Sequence, residues 1–353
     1  MSAMVAELHA RAPLFEQGAV RSIYFGGGTP SIAPLSFFKY LIADVRSRFI
    51  VHDDVEITCE VNPGTVDLEI LEQYRTMGIN RLSLGWQSTH DDLLEVLGRD
   101  HSVGEGERAF TDARAVGYDN ITLDLIYAIP GQSSEQLTRD LDTLVALSPD
   151  HVSIYEMTFH ERTPYERYRQ LGRISAQPDE VALAMTQQIE EAMERAALER
   201  YEVSNFARPS KRSRHNSGYW TGYPFLGVGP GAHSFLRHDW QRGFRWEGIR
   251  RPERYIKAMQ NLEGRALPFD QPDAVSFIDL LTHKQLLSER IMTAMRMPDG
   301  ISLGDLDLGE CADDVHAARQ EAIERGWLED SSERLVPTVV GLRYADSLAE
   351  LFF

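Results

Sequence analysis

Short apolar or aromatic runs alternate with amphipathic stretches through the first half of the chain, and this alternation limits the possible fold more than any other feature. The strand-like runs are 20–25, 55–61, 81–86, 121–127 and 151–157. The helical stretches between them include 35–49, 66–77 and 135–147, and the capping-box residues Ser133 and Gln136 mark the start of the last one. This pattern predicts parallel strands joined by crossover helices, with five βα units visible.

The chain begins inside a helical stretch rather than in a strand. Met4, Val5, Leu8 and Ala12 have helical spacing and lead directly into the strand that begins at Val20. Because a right-handed crossover needs a strand before its helix, the strand that should come first is absent. We therefore predict an α/β fold, a partial parallel (β/α)6 barrel that lacks its first strand. We expect that the N-terminus is truncated or starts at a downstream methionine.

The second half of the chain has a different pattern. It predicts a long helix at 179–199, a strand at 201–206, an aromatic and glycine-rich loop at 215–235 and a helix at 274–297. The tail has a helix at 315–325 and hairpin-like runs at 327–328 and 335–338, which resemble a winged-helix module. We predict three domains, namely a truncated barrel at 1–175, a barrel extension at 176–250 and a smaller, mostly helical C-terminal domain at 251–353.

Composition limits the partners and the location of this protein. A formal net charge of −18 repels a phosphate backbone, so we expect no nucleic-acid partner. No run of about 18 apolar residues occurs, and Glu7 and Arg11 interrupt any signal-peptide core, so we expect a cytoplasmic protein that is not membrane-embedded. The two cysteines, Cys59 and Cys311, lack the spacing of a metal site, and no metal ligand is predicted.

Glycines and polar residues collect where the predicted strands end. Gly26, Gly27 and Gly28 end the first visible strand and precede Thr29 and Pro30. Three glycines indicate either an open backbone that binds a ligand or an ordinary strand-to-helix turn. The later strands carry polar residues at their ends or inner faces, namely Glu60, Gln87, Asp124 and Thr158. A barrel places its active site at these carboxyl ends, so the set favours a binding site.

A second candidate site lies in the segment 215–220, which reads His-Asn-Ser-Gly-Tyr-Trp. His215 stands beside two aromatic residues and follows the cations Arg208, Lys211, Arg212 and Arg214. Such a histidine could ligate heme iron while the cations meet the propionates. The alternative is a packed aromatic loop with a solvated basic flank, and spacing alone favours that alternative.

Together these segments resemble the oxygen-independent coproporphyrinogen III oxidase family of radical S-adenosylmethionine proteins, over nearly the whole chain. The motifs that carry the resemblance are, in order, 23–31, 60–64, 80–88, 97–99 and 123–127. The resemblance implies that Gly27, Gly28 and Thr29 receive the methionine part of S-adenosylmethionine. It also implies contacts from other residues to the rest of this cofactor, namely Glu60, Gln87, Arg99, Asp124, Thr158 and, near the adenine, His233.

Within that family, the His-Asn-x-x-Tyr-Trp segment that begins at His215 is similar to the one that marks a heme-chaperone branch. This resemblance implies that the protein binds heme through His215 and delivers it to membrane-bound acceptor proteins, with a homodimer left open. One alternative is a true oxidase that decarboxylates porphyrinogen propionates by a 5'-deoxyadenosyl radical. Another is a cluster-free pseudoenzyme that binds only heme or S-adenosylmethionine.

The chain departs from the family in its metal site. Family members carry a C-x-x-x-C-x-x-C segment whose three thiolates hold a [4Fe-4S] cluster, and no such segment occurs here. Cys59 is predicted to face the helices and cannot replace three clustered thiolates. The missing motif coincides with the missing first strand, which favours truncation over point loss.

Overall fold

Helices and strands account for most of the chain in the computed structural model, which describes residues 1–15, 18–161, 163–237, 239–260 and 274–353. The strands are β1 (Ala19–Phe25), β2 (Ile50–Val61), β3 (Arg81–Gln87), β4 (Ile121–Tyr127), β5 (His151–Glu156), β6 (Glu199–Arg200), β7 (Asn205–Ala207), β8 (His233–Arg237), β9 (Gly243–Gly248), β10 (Val275–Leu281), β11 (Ile301–Ser302) and β12 (Arg334–Leu335). The helices are α1 (Ser2–Arg11), α2 (Leu35–Arg48), α3 (Leu68–Thr76), α4 (Asp91–Val96), α5 (Val103–Val116), α6 (Ser134–Leu147), α7 (Pro164–Gln170), α8 (Asp179–Arg195), α9 (Arg214–Trp220), α10 (Pro252–Met259), α11 (His283–Ala294), α12 (Ala312–Glu324), α13 (Val339–Arg343) and α14 (Ala345–Glu350).

The chain divides into two compact units. The barrel unit comprises Ser22–Leu35 and Glu56–Ser213, and the terminal unit comprises Met1–Arg21, Ser36–Val55 and Arg214–Phe353. The terminal unit therefore draws on both ends of the chain. The division at residues 175 and 250 stays a prediction.

The main sheet has the strand order β1-β2-β3-β4-β5-β7-β6. The pairs β2–β3, β3–β4 and β4–β5 are parallel, and each lies next to its neighbour in sequence. The five predicted strands and the α/β half-barrel are confirmed. The last two strands differ from the first five because β7 pairs antiparallel with both β5 and β6.

Helices cover the apolar face of this sheet. In β4, Ile121, Leu123 and Leu125 are buried and alternate with Thr122 and Asp124 on the opposite face. Helix α6 buries a leucine stripe at helical spacing, consisting of Leu137, Leu141 and Leu144. The capping box that the sequence predicts at its start is confirmed, because Ser133 and Gln136 exchange hydrogen bonds of 3.2 and 2.9 Å.

The predicted strand at 201–206 is confirmed only at residues 205 and 206, and the predicted helix at 179–199 is too long. Helix α8 ends at Arg195, and a short antiparallel pair, β6 and β7, follows it. The Glu202 carboxylate explains the turn between these strands, because it accepts hydrogen bonds from the Ser204 backbone N–H at 2.9 Å and from the Asn205 side chain. A side chain that bonds to the backbone two residues ahead favours a turn over a continuous strand.

In the terminal unit, the predicted loop at 215–235 is wrong at both ends. Helix α9 begins at Arg214, and β8 begins at His233 and forms an antiparallel sheet of order β10-β9-β8. The predicted helix at 274–297 is also wrong in its first third, where β10 lies. Thr282 separates the two elements because it forms a capping box with Gln285 that starts α11. Residues 261–273, which we expected to be mainly helical, lie outside the described residues.

The C-terminal part of the terminal unit has its own apolar core. Helix α12 is followed by an antiparallel bridge between Leu328 and Pro337, and β12 pairs antiparallel with β11. Buried side chains of α11, α12 and α14 share one cluster, which includes Ile291, Ala322 and Leu348. The predicted helix-then-hairpin order is present, and its assignment as a winged-helix module stays a prediction. None of the described helices combines the length and apolar character that a bilayer span requires.

Candidate functional site

A row of polar side chains crosses the inner face of the barrel sheet. Glu60 on β2 is in register with Ser83 on β3, and Asp124 on β4 is in register with Ser153 on β5. The Ser83 hydroxyl donates a hydrogen bond of 2.8 Å to Asp124 Oδ2. Parallel pairing and the alternation of side chains thus align residues that lie far apart in sequence.

Glu60 ties the glycine-rich end of β1 to β2. Its Oε2 accepts a hydrogen bond of 3.1 Å from the Gly27 backbone N–H, and its Oε1 accepts one of 2.7 Å from the Tyr24 hydroxyl. Gly27 has φ +113°, a conformation that favours glycine. A Cβ atom added at Gly27 or Gly28 would meet nothing within 4 Å, so the backbone here is open to a ligand. Thr29 follows in a half-buried position.

Desolvation and neighbouring carboxylates change the acidity of this row. Loss of water contact raises the pKa of Asp124 to about 6, opposed by hydrogen bonds from Ser83 and Ser153 and by the charge of Arg81. Burial also raises the pKa of Tyr24 far above its ordinary value, and the charges of Glu60 and Asp124 add to this effect. Glu60, Asp124 and Tyr24 therefore act on one another electrostatically.

Deeper in the barrel, a polar layer carries a buried cation. Arg81 is buried and donates a hydrogen bond to the Thr122 hydroxyl. His151, in register with Thr122, lies 2.7 Å through Nε2 from the Tyr201 hydroxyl. Burial, together with the charge of Arg81, holds the pKa of His151 well below its ordinary range. This layer supplies a fixed positive charge beside the carboxylates of the row.

The other predicted site residues of the barrel unit, Gln87, Arg99 and Thr158, differ in burial. Gln87 ends β3, is buried and has φ +72°, a conformation that is uncommon for a residue with a side chain. Arg99 is exposed beyond α4, and its charge opposes the burial that raises the pKa of Tyr165. Thr158 is exposed beyond β5, with its hydroxyl 3.0 Å from His160 Nε2. The structure thus links Gly27 to Glu60 by a hydrogen bond and connects Glu60 to Asp124 through Ser83.

His233 belongs to the terminal unit. It begins β8 with 55% of its side chain exposed, and its Nε2 lies 3.9 Å from Glu247 Oε1. Its ring meets Phe277 of β10 at a centroid distance of 5.9 Å. The histidine therefore presents an exposed ring on the face of the three-stranded sheet.

His215 lies on α9 in the terminal unit, half-buried beside aromatic side chains. Its Nε2 is 3.0 Å from the Tyr219 hydroxyl, and the Tyr219 ring packs against Phe225 with centroids 4.6 Å apart. The aromatic packing that the sequence left as an alternative is thus present, but on a helix. A half-buried imidazole on an aromatic surface has the chemistry that binds porphyrin iron.

The cations that precede this segment already have partners. Arg208 donates to the Pro149 carbonyl at 2.9 Å, and Lys211 Nζ lies 3.4 Å from Asp119 Oδ2. Arg214 Nη1 lies 2.7 Å from Asp54 Oδ2, and Arg212 stacks over the ring of Tyr201. These contacts favour a structural role for the basic flank over a role in binding propionates.

The cysteines of this chain do not fit an iron-sulfur cluster. Cys59 is buried on the helix-facing side of β2, as predicted, and burial raises the pKa of its thiol to about 12. Cys311 is partly exposed and belongs to the other unit. Cluster ligands are thiolates, and three are needed. Among the described residues, no group of three or more histidine, cysteine or carboxylate side chains is arranged to hold a metal.

A shallow cleft of 380 Å³ occurs elsewhere in the barrel unit. It is lined by Thr89, His90, Val103, Glu107, Arg139, Asp142 and Thr143. None of these is a predicted site residue, and most belong to the covering helices α5 and α6. The cleft is thus a feature of the outer layer.

Sequence reasoning missed three residues of the inner face, namely Tyr24, Ser83 and Arg81. The alternation within β1 places Tyr24 two residues before Gly26, and the alternation within β3 places Arg81 and Ser83 on the face that ends in Gln87. The period-two pattern was therefore a usable signal. It did not reveal that Tyr24 donates to Glu60, because that contact depends on tertiary structure.

Comparison with known proteins shows to which family this chain belongs. The sequence model of the Radical SAM superfamily matches residues 3–144, and that of the HemN C-terminal domain matches residues 281–344. The chain is 33% identical over 347 residues to the heme chaperone HemW of Mycobacterium tuberculosis, which covers 98% of this chain and 84% of that protein. The chain belongs to the HemW family of radical SAM proteins. It is also 31% identical to HemW of Escherichia coli, over 94% of this chain and 84% of that protein.

A solved structure shares the fold of this HemW family member. Coproporphyrinogen III oxidase (HemN) from Escherichia coli, described as a radical SAM enzyme, superposes with a TM-score of 0.80. The two chains are 20% identical, and the match covers 99% of this chain and 82% of that one. At this identity the likeness establishes the fold alone.

The raised pKa of Asp124 predicts a pH-dependent stability. The folded protein holds the Asp124 proton up to about pH 6, whereas an unfolded aspartate releases it near about pH 4. The contribution of protonated Asp124 to the free energy of unfolding is therefore complete below about pH 4 and is lost as the pH rises to about 6. We expect Asp124→Asn to flatten this part of the stability profile, measured as urea midpoints between about pH 4.5 and 7.

The exposed Asp142 of α6 provides the control. Asp142→Asn should leave the slope of the wild-type profile unchanged. An Asp124→Asn protein whose midpoint falls with pH as steeply as that of the wild type would contradict the assignment.

Proposed function

We propose that this protein is a heme chaperone that binds heme at α9 and passes it to acceptor proteins. The observation that carries the proposal is the match to proteins named heme chaperone HemW across 98% of this chain. The aromatic surroundings of His215 support it, since a porphyrin ring needs an apolar surface and its iron needs a basic ligand. His215 is the proposed iron ligand. The cytoplasmic location, the membrane-bound acceptors and a homodimer stay predictions from the sequence.

We propose further that the barrel unit binds S-adenosylmethionine. Gly27 and Gly28 offer backbone without side-chain obstruction, and Thr29 adds a hydroxyl. The proposed contacts to the rest of the cofactor are Glu60, Gln87, Asp124, Arg99 and Thr158, with His233 for the adenine. Charge supports this set, because carboxylates suit the amino, sulfonium and ribose groups whereas Arg99 suits the cofactor carboxylate.

The family couples this cofactor to a [4Fe-4S] cluster, which would supply the electron for radical chemistry. The residues of this chain do not fit such a cluster, because Cys59 is a buried thiol and two cysteines cannot supply three thiolates. The function proposed for this chain is therefore the binding and transfer of heme and the binding of S-adenosylmethionine, without a radical step. The similarity to HemN, at 20% identity, does not favour the oxidase alternative.

Removal of the Glu60 charge should weaken binding of S-adenosylmethionine. Glu60→Gln keeps the size of the side chain but loses the attraction for a cationic ligand, so we expect roughly tenfold weaker binding by isothermal titration calorimetry. Glu69→Gln, at an exposed position of α3, is the control and should bind like the wild type. Equal affinity of the Glu60→Gln and wild-type proteins would contradict a cofactor site at this carboxylate.

Removal of the His215 imidazole should weaken heme binding. We expect His215→Ala to bind hemin at least about tenfold more weakly, with loss of the Soret signature of histidine coordination. His316→Ala, at an exposed position of α12, should behave like the wild type. A wild-type protein that binds no hemin would refute the chaperone proposal, and decarboxylation of coproporphyrinogen III by the full chain would favour the oxidase instead.

A further inference from the structure

The nitrogen proposed to bind iron already has a partner on its own helix. His215 and Tyr219 lie four residues apart on α9 and therefore project from the same side of the helix. His215 Nε2 is 3.0 Å from the Tyr219 hydroxyl, and the two rings meet edge to face with centroids 4.9 Å apart. A metal–imidazole bond is only about 2 Å long. The hydroxyl and an iron atom therefore cannot occupy the same side of this nitrogen.

Packing explains why the hydroxyl stands at this position. The Tyr219 ring lies edge-on against Phe225, with an interplanar angle of 85°. Phe225 in turn exchanges two backbone hydrogen bonds of 2.9 Å with Phe235 of β8. The sheet therefore fixes one side of the tyrosine. The residue is 38% exposed, so this packing does not enclose it completely, although burial still raises the pKa of its phenol.

We propose that Tyr219 is a latch on His215. Its hydroxyl competes with heme iron for Nε2 and forms the hydrogen bond to Nε2 again when heme leaves. The inference rests on the proposed function and assigns Tyr219 a role within it. When iron binds, the hydrogen bond to Nε2 breaks and an Fe–N bond forms. The phenol keeps its proton and bonds to water instead, and the oxidation state of the iron does not change.

The latch also prepares the imidazole for its ligand. When the phenol donates to Nε2, the ring proton resides on Nδ1, which is the tautomer whose Nε2 lone pair can bind a metal. The hydroxyl thus holds the nitrogen in a metal-ready form while lowering its net affinity for iron. Such a balance suits a protein that must release heme, because the vacated nitrogen regains a partner at once.

Hemin titration of the full chain tests the latch. Tyr219→Phe keeps the ring that packs on Phe225 and removes only the hydroxyl, so hemin should bind roughly fivefold more tightly, the effect of one ordinary hydrogen bond. It should also pass hemin to apomyoglobin more slowly than the wild type does. Tyr223→Phe removes a hydroxyl from a nearby tyrosine that is 51% exposed, and it should match the wild type in both assays.

The outcomes separate the latch from the function on which it rests. If the wild type binds hemin through His215 but Tyr219→Phe binds it no more tightly, the latch is wrong and the chaperone proposal stands. If His215→Ala binds hemin as well as the wild type does, the iron site itself is wrong and the latch is refuted with it.

A second measurement covers the case in which the Tyr219→Phe protein does not fold. The imidazole nitrogen resonances of His215 in the heme-free wild type should show Nε2 as a hydrogen-bond acceptor. An Nε2 resonance typical of a nitrogen exposed to water would overturn the latch.

Discussion

The two hydrogen bonds that Glu60 accepts hold the candidate cofactor site together. One comes from the Tyr24 hydroxyl and the other from the Gly27 backbone N–H, so a single carboxylate joins the end of β1 to β2. The parallel register then continues from Glu60 to Ser83, and the Ser83 hydroxyl bonds to Asp124. Because side chains alternate strictly along a strand, a one-residue slip in β2 would turn Glu60 toward the helices and disperse the row.

The positive charge of the buried Arg81 allows two carboxylates, Glu60 and Asp124, to lie near each other inside the barrel. Desolvation favours the protonated form of Asp124, and the nearby charge of Glu60 favours it further. The positive charge of Arg81 opposes both effects, and the neutral His151 beside it adds no second cation. The inner face thus carries hydrogen-bond donors, acceptors and both signs of charge, whereas the helix-facing side, with Ile57 and Leu82, is apolar.

The sequence predicted the strands of the half-barrel because period-two alternation is a local signal, and β4 has the predicted bounds. It predicted Glu60 and Asp124 on the inner face for the same reason. It failed at β6 and β7, where the Glu202 side chain forms the turn, and at β10, which Thr282 separates from α11. In both cases one hydrogen-bonding side chain overrides the average pattern of its neighbours. The contact between Tyr24 and Glu60 could not be predicted from local sequence patterns, because the two residues are 36 positions apart.

Hydrogen–deuterium exchange of the full chain, with S-adenosylmethionine and hemin added separately, tests the central claim that the chain holds two ligands at two different places. S-adenosylmethionine should protect peptides covering 23–30 and 56–61, where the glycine backbone and Glu60 lie. Hemin should instead protect a peptide covering 214–225, which contains α9 and Phe225. Protection of the barrel peptides by hemin, or no protection of 214–225, would contradict it.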